Sequence, residues 1–351
     1  MLKRSPGPTR RCPFPTCPSH TRPRSKGIVR HGYLRSRHGS RLRLLCRTCG
    51  RTFCNRRGSA YYRLQHPRKQ FDSFAALLAE GLSSAALARA LSVAPATITR
   101  WLGRAAAHAR SFADEHDRVE RPFELQFDEI SGRPASEPRS PWIYNGIEVS
   151  SRFWVAAFVG RRSRRSTRAF VLQARAALGS LASDLLVVSD PFPYYERELE
   201  RSMGPRCVYV KVRNSYLADR VVHTQATLVL GTPDRLDAIF ERSEDSNRPN
   251  TAYVERLNLF LRRSCSYLHR RTSGKVRNPR RLSDMVEVIR CGYNFVRPHS
   301  ALRPGSEPTT PAMQAGVFAS PLSWRAIFEW PRPAPNPALL LARLVRPPGV
   351  R

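Results

Sequence analysis

The sequence predicts a multidomain protein in which a small metal-stabilised module and an all-α module precede an α/β domain with a mixed sheet and helices on both faces. Three observations predict this order. Cysteines with paired spacing lie near the N-terminus, helical periodicity follows from about residue 68, and apolar runs typical of strands begin at Phe123. A chain of 351 residues is long enough to build two or three such domains.

The chain is strongly basic. It has 60 Lys and Arg against 27 Asp and Glu, a net charge of +33, and its first 70 residues contain no acid. Such a field favours a polyanionic partner, and nucleic acid is the first candidate. No apolar run reaches the length of a membrane span, and no apolar signal segment follows the basic N-terminus. We therefore expect a cytoplasmic, nucleoid-associated protein that does not enter the membrane.

The first predicted domain, residues 1–60, is a zinc ribbon. C-P-F-P-T-C is followed by C-R-T-C-G, and the intervening residues predict two short strands around a turn at His38–Ser40. The alternative is a disordered basic tail with incidental cysteines, but a region this poor in apolar residues needs a metal in order to fold. Cys54 is a spare thiol that also suits zinc. The predicted zinc ligands are Cys12, Cys17, Cys46 and Cys49.

The second predicted domain, residues 68–110, is a helix-turn-helix. Apolar residues at helical spacing from Phe71, a turn at Ser92–Ala94 and a proline at the first position of the next helix give this pattern. The recognition helix is predicted over 95–107. The alternative is an ordinary three-helix packing unit. The side chains predicted to face DNA are Thr97, Thr99, Arg100 and Arg104.

A polar linker, 111–121, leads to the predicted α/β domain, 122–305. In F-E-L-Q-F-D-E-I the alternation indicates a half-buried strand with Asp128 at the end of its polar face. L-L-V-V-S-D is a continuous apolar run that stops at Asp190. Because charge at the end of a buried strand is costly without a partner, the two carboxylates suggest a Mg²⁺ site. The alternative is that both acids are solvated strand ends.

The order of elements that follows is typical of a ribonuclease H-like sheet: three strands, a helix over 166–183, a strand, a short acidic helix and a further strand. A third acid, Glu255, lies near the start of an amphipathic helix beginning at Asn250 or Thr251. That helix could aim Glu255 at the two aspartates, and Arg262 two turns later could hold a DNA phosphate. The alternative is a surface glutamate in a helical ion pair.

With these motifs in order, the chain from Cys12 to about Ala315 resembles the insertion-sequence-one type of bacterial transposases, which have a ribonuclease H-like catalytic domain with an Asp-Asp-Glu site. The resemblance rests on the paired cysteines, the helix-turn-helix pattern, F-D-E-I, V-S-D-P-F-P-Y-Y-E-R-E-L and Y-V-E-R-L-N-L-F-L-R-R. R-R-T-S-G-K and Y-N-F-V-R-P-H-S-A-L downstream are also similar to this family.

The resemblance implies that Asp128, Asp190 and Glu255 hold Mg²⁺ or Mn²⁺ for DNA strand cleavage and strand transfer. Its partners would be double-stranded DNA, both the element ends and the target, bound by a homo-oligomer. The alternative is a catalytically silent DNA-binding regulator that uses only the N-terminal modules. One departure concerns the 64 residues between Asp190 and Glu255, longer than in compact relatives, with an insertion predicted at about 214–246. A Pro-rich tail, 306–351, completes the chain.

Overall fold

The computed structural model describes residues 12–14, 16–20, 27–36, 39–132, 141–181, 183–217, 220–269, 278–302 and 307–330. The strands are β1 Ile28–Ser36, β2 Gly39–Cys46, β3 Thr52–Cys54, β4 Glu124–Ser131, β5 Trp142–Glu148, β6 Phe153–Gly160, β7 Leu185–Ser189, β8 Cys207–Leu217 and β9 Arg220–Leu230. The α-helices are α1 Arg68–Ala79, α2 Ser84–Ala90, α3 Pro95–His116, α4 Arg164–Ala176, α5 Tyr195–Met203, α6 Pro233–Arg242, α7 Ala252–Ser264, α8 Pro279–Cys291, α9 Pro311–Gln314 and α10 Trp324–Glu329.

The N-terminal strands form a three-stranded antiparallel sheet in the order β1-β2-β3. Both strands predicted between the cysteine pairs are present, and part of their predicted turn lies outside the described residues. The sheet has a small apolar cluster of its own, built from Ile28, Leu44 and Phe53 around the cysteines. So little buried apolar area agrees with the expectation that this module needs a metal.

Helices α1, α2 and α3 form a three-helix unit. The Ser83 hydroxyl accepts a hydrogen bond from the Ala86 N–H and so caps α2, and Ser92 in the following turn has a positive φ of 51°. Pro95 begins α3, as predicted. The predicted linker at 111–121 is wrong for its first half, because α3 continues to His116 and buries Ala109 and Phe112.

A mixed sheet of six strands follows, in the order β6-β5-β4-β7-β8-β9. β4, β7 and β8 run parallel, whereas β5, β6 and β9 pair antiparallel with their neighbours. The predicted strands of this domain are confirmed. The helix predicted over 166–183 is shorter, because α4 begins after its Ser163 cap and ends at Ala176.

The central strand β4 is covered on both faces, so the predicted half-buried strand is wrong. Phe127 contacts Phe170 of α4 and Tyr195 of α5 on one face. Gln126, which points the other way, contacts the start of α7. The polar residues Glu124 and Gln126 are buried as fully as their apolar neighbours Leu125 and Phe127. Helices on both faces convert the expected polar face into an interior one.

The predicted insertion is an integral part of the α/β layer. β9 pairs along β8, and α6 buries Ile239 against Leu186, Val188 and Val210. Because residues 186 and 188 of β7 lie beside 124 and 126 of β4 in the parallel register, α6 covers the same face of the sheet as α7.

One apolar core joins the three-helix unit to the six-stranded sheet, which contradicts the prediction of separate domains for these parts. Phe112 of α3 contacts Phe295, and α8 packs against both α3 and β6. Within the Pro-rich tail, α10 docks on this core, since its Phe328 lies against Phe71 of α1. Residues 331–351 lie outside the described part of the chain. In the described ranges, no helix combines the length and apolar character needed to cross a membrane.

Candidate active site and metal-binding cysteines

Four cysteines come together in the N-terminal sheet. The ligand atoms of Cys12, Cys17, Cys46 and Cys49 all lie within 4.8 Å of one another. The Sγ atoms of Cys12 and Cys49 are 3.7 Å apart, and so are those of Cys17 and Cys46. Both distances are far longer than a disulfide bond of about 2.05 Å. The loop that presents the second pair turns at Gly50, which has a φ of +68°.

This donor set fits a tetrahedral cation that prefers thiolates. Zinc bound by four sulfurs at about 2.3 Å places them about 3.8 Å apart, close to both measured separations. Burial raises the pKa of the Cys46 thiol, but N–H groups of Cys49 and Thr48 and the neighbouring thiols lower it to about 6. Burial raises the pKa of Cys12. Cys54 is buried in β3 and does not belong to the group.

A second group of polar residues lies at the edge of the six-stranded sheet where β7 ends and its pairing with β4 stops. Asp128 was predicted at the end of its strand, but β4 continues to Ser131. These strands are parallel and Phe127 pairs with Ser189, so Asp128 and Asp190 occupy neighbouring positions at the same edge. Asp128 is partly buried, whereas Asp190 is exposed. The carboxyl ends of adjacent parallel strands are where open α/β sheets bind ligands.

Helix α7 is fixed to β4 by a strand side chain. The buried Gln126 Oε1 accepts hydrogen bonds from the Tyr253 N–H, at 2.9 Å, and the Val254 N–H, at 3.2 Å. It thereby satisfies two of the N–H groups that the first turn of α7 leaves unpaired. Glu255 follows directly, and its Oε1 accepts a hydrogen bond from the Thr251 hydroxyl at 2.8 Å. The start of the helix that carries Glu255 is therefore held by Gln126, two positions before Asp128 in β4.

One turn later, Asn258 ties α7 to Asp128 itself. Its Nδ2 donates to Asp128 Oδ2 at 2.6 Å, and its Oδ1 accepts from Asn145 Nδ2 at 2.7 Å. Asn145 pairs with Asp128 across β4 and β5. The other Asp128 oxygen, Oδ1, accepts from the Glu129 N–H at 2.7 Å. These bonds set the orientation of the Asp128 carboxylate, and each oxygen keeps a lone pair for a further partner.

The acids at this edge interact electrostatically. The pKa of Asp128 is raised to about 7. Burial is the largest cause, and the charges of Asp190, Glu129 and Glu255 add to it. Burial and the charge of Glu255 also raise the pKa of Asp190, whereas Arg162 lowers it. The three predicted acids therefore lie close enough for the charge of one to raise the pKa of another.

The three carboxylates fit a hard divalent cation by chemistry, since each offers an oxygen of the kind that Mg²⁺ prefers. Within the described residues, however, the ligand atoms that all lie within 4.8 Å of one another are those of the four cysteines. The carboxylate oxygens of the three acids do not form such a group. Like charges at a shared site repel, so the acids would have to approach one another in order to share a cation.

The predicted DNA-facing residues are only partly accessible. Thr99 and Arg100 are exposed near the start of α3. Thr97 is buried, which corrects its predicted exposure. The Arg104 guanidinium donates to the carbonyls of Ala60 and Tyr62, so it holds the chain before α1 and does not face solvent as predicted. Arg262 is half-buried on α7, seven residues after Glu255. R-R-T-S-G-K lies outside the described residues.

Sequence reasoning missed Gln126, Asn145 and Asn258 as site residues. Polar side chains in strands that are otherwise apolar were a usable signal for the first two, because a buried amide needs hydrogen-bond partners. Asn258 follows Glu255 at helical spacing on α7, and that spacing alone assigns it no role.

Comparison with known proteins does not identify a relative. No protein-family model matches the chain, and a search of curated proteins gives no significant match. The function is therefore argued from the residues and the geometry above.

Proposed function

We propose that this chain is a DNA transposase whose α/β domain, of the ribonuclease H-like type, cleaves and joins DNA strands with Mg²⁺ or Mn²⁺ held by Asp128, Asp190 and Glu255. The observation that carries the proposal is geometric: Asp128 and Asp190 lie on neighbouring parallel strands at one edge of the sheet, and Asn258 of the helix that carries Glu255 donates a hydrogen bond to Asp128 at 2.6 Å. Like charges at a shared edge repel, and a bound cation would offset that repulsion.

The chain contributes position and charge to the reaction. A cation held by the three acids would supply Lewis-acid activation of water, or of a DNA 3′-hydroxyl, and would offset the charge that develops on the phosphate. Asp128 is held rigidly by Asn258 and the Glu129 N–H, and Glu255 by Thr251 and the Gln126-capped start of α7. In-line displacement at a phosphodiester depends on such positioning, and it requires no covalent intermediate with the enzyme.

The N-terminal modules would bind the DNA. We propose that the four cysteines hold structural Zn²⁺ in a zinc ribbon, and that α2 and α3 form a helix-turn-helix. Thr99 and Arg100 at the exposed start of α3 are its base-contacting residues, and Arg262 holds a backbone phosphate near the acids. The strong positive charge of the chain supports a DNA partner, since phosphate contacts dominate affinity. An oligomer on paired element ends and a nucleoid-associated location follow from this proposal.

The second candidate is a silent DNA-binding regulator. The spacing of the acids favours it, because their carboxylates do not lie as close together as the cysteine thiols. The Asn258 bond to Asp128 and the Gln126 cap favour the enzyme, since both orient acids more strictly than a regulator needs.

A strand-cleavage assay tests the proposal. Inverted repeats in the genomic DNA that flanks the coding sequence supply the substrate, and the full chain is incubated with this DNA with and without Mg²⁺. We expect nicks at the repeat ends with Mg²⁺ that are absent for Asp128→Asn and Asp190→Asn. Repeat binding without any cleavage in Mg²⁺ or Mn²⁺ would favour the regulator.

A further inference from the structure

An exposed run of arginines borders the acid cluster, and the proposed chemistry leaves it unused. The segment Arg161–Arg168 contains five arginines, no acid, and the start of α4. We call this segment the arginine rim. All five arginine side chains are exposed: Arg161, Arg162, Arg164, Arg165 and Arg168.

The topology places the arginine rim beside the acids. β6 pairs antiparallel with β5, and β5 pairs antiparallel with β4, so β6 and β4 end at the same edge of the sheet. The rim begins directly after β6 ends at Gly160. Arg162 is the member that contacts Glu129, which directly follows Asp128 in β4.

Arg162 is held in place by contacts with two aromatic rings. Its guanidinium carbon lies 4.6 Å from the centre of the Trp142 ring and 4.7 Å from that of Phe192. Its Nη2 reaches Glu129 Oε2 at 3.4 Å, which is a long contact, and 48% of the side chain stays exposed. A guanidinium has five N–H donors, so most of them remain available to an oxyanion.

The backbone of the arginine rim is fixed by a buried phenol. The Tyr144 hydroxyl donates to the Arg161 carbonyl at 3.0 Å and accepts from the Ser163 N–H at 3.1 Å. Tyr144 is fully buried against Phe170. Because both the backbone and the Arg162 guanidinium are held before any ligand arrives, binding an anion here costs little ordering entropy.

We propose that the arginine rim binds the phosphate backbone of DNA at the acid cluster, with Arg162 contacting a phosphate next to the one under attack. This inference rests on the proposed function for its location at the reaction centre. α7 and Arg262 lie on the face of the sheet toward which Asp128 points, whereas the Arg162 partner Glu129 points to the opposite face. The rim therefore holds the DNA on the side of the acids opposite α7.

A simpler role for Arg162 is to offset the charge of Glu129 and Asp190. The two roles differ in a measurable way. A group that only neutralises acids changes the pH dependence of the site, whereas a phosphate contact releases a counterion and changes the salt dependence of DNA affinity.

The experiment measures the affinity of the full chain for a short random-sequence duplex over a range of KCl concentrations, without added Mg²⁺. A random duplex suffices because backbone contacts carry no sequence information. Arg162→Gln should lower the slope of log affinity against log salt by about 0.9 and weaken binding roughly tenfold at low salt. Arg162→Lys keeps the charge and should keep the slope.

Two further variants test whether the effect depends on where the arginine lies. Arg165→Gln removes another exposed arginine of the rim and should lower the slope in the same way. Arg201→Gln removes an exposed arginine near the end of α5, at the opposite edge of the sheet, and should leave the slope unchanged. Wild-type slopes for both Arg162→Gln and Arg165→Gln would overturn the inference.

The outcome of this test does not depend on the proposed function, because DNA binding is measured without cleavage. If the wild type fails to cut repeat DNA while the slopes fall as expected, the transposase proposal fails and the DNA-binding rim stands. If the wild type cuts and the slopes do not change, the inference about the rim fails alone.

Discussion

Glu255 lies on α7 between two contacts that fix this helix to β4. Before it, Gln126 caps the first turn of the helix, and after it, Asn258 donates a hydrogen bond to Asp128. Replacing Glu255 with Gln keeps the shape of the side chain but removes its charge. We expect Mg²⁺-dependent cleavage to fall roughly 10²- to 10³-fold, because a ligand that stabilises charge in the transition state is lost. Affinity for repeat DNA should persist. Single-turnover cleavage and a binding titration of the same variant measure both quantities.

The matched control is Glu244→Gln. Glu244 and Glu241 are closer to Asp190 in sequence and compete with Glu255 for the role of third acid. The structure places Glu241 near the end of α6 and Glu244 in the loop after it, whereas the charge of Glu255 raises the pKa of both Asp128 and Asp190. Cleavage lost in Glu244→Gln and kept in Glu255→Gln would show that the wrong acid has been chosen.

Asn258 is a positioning residue for Asp128. Asn258→Ala removes the donor to Asp128 Oδ2 and leaves the Asn145 amide without its acceptor. Loss of a partner that orients a metal ligand typically costs 10- to 100-fold in metal affinity. We expect a loss of that size in Mn²⁺ affinity, measured by titration of the zinc-loaded chain.

Arg256→Ala, an exposed change on the same helix, is the control for Asn258 and should bind Mn²⁺ as the wild type does. Equal Mn²⁺ affinity in Asn258→Ala and wild type would remove Asn258 from the site.

At the scale of elements, the cysteine module gives a prediction with an internal control. Cys49→Ser removes one of four clustered thiols, whereas Cys54→Ser removes a buried thiol outside the cluster. Because tetrahedral zinc needs all four thiolates, we expect zinc content to fall well below one per chain for Cys49→Ser and to stay near one for Cys54→Ser. Elemental analysis of purified protein measures this. Full zinc content in Cys49→Ser would contradict the assignment.

The sequence predicts strands and helices well where the local pattern is strong. The continuous apolar run L-L-V-V-S predicted β7, and Pro95 marked the start of α3. The burial of β4 on both faces was missed because a strand that alternates polar and apolar residues looks half-solvated until the helices above it are known. Gln126 is the case in point, since its partners lie more than a hundred residues away.

Among the site residues, the paired cysteines were predictable because metal-ligand spacing is local. Asp190 was predictable as a strand end, whereas Asp128 lies inside β4, which continues to Ser131. Arg104 was not, because only the fold brings the carbonyls of Ala60 and Tyr62 within reach of its guanidinium.

On the scale of the whole molecule, a shared core joins the α1–α3 unit, the sheet and α10. Phe328 of α10 is fully buried and contacts Phe71 of α1 and His108 of α3. Phe328→Ala should therefore lower the free energy of unfolding by about 3–5 kcal/mol, as expected for a large side chain removed from a core. Urea denaturation of the full chain measures the change.

Leu259→Ala is the control for Phe328, because Leu259 is 53% exposed and its removal should change stability by less than about 0.5 kcal/mol. A similarly small effect for Phe328→Ala would mean that the C-terminal segment is not part of the common core.

Covalent joining of DNA tests the central claim most directly, because neither a regulator nor a simple nuclease performs it. The full chain is incubated with DNA carrying an element end and with a target plasmid, and the joints are sequenced. We expect end-to-target joints in Mg²⁺ or Mn²⁺ for the wild type and none for Asp128→Asn or without added metal. A wild-type chain that binds the element end but yields no cleaved or joined product with either cation would contradict the account.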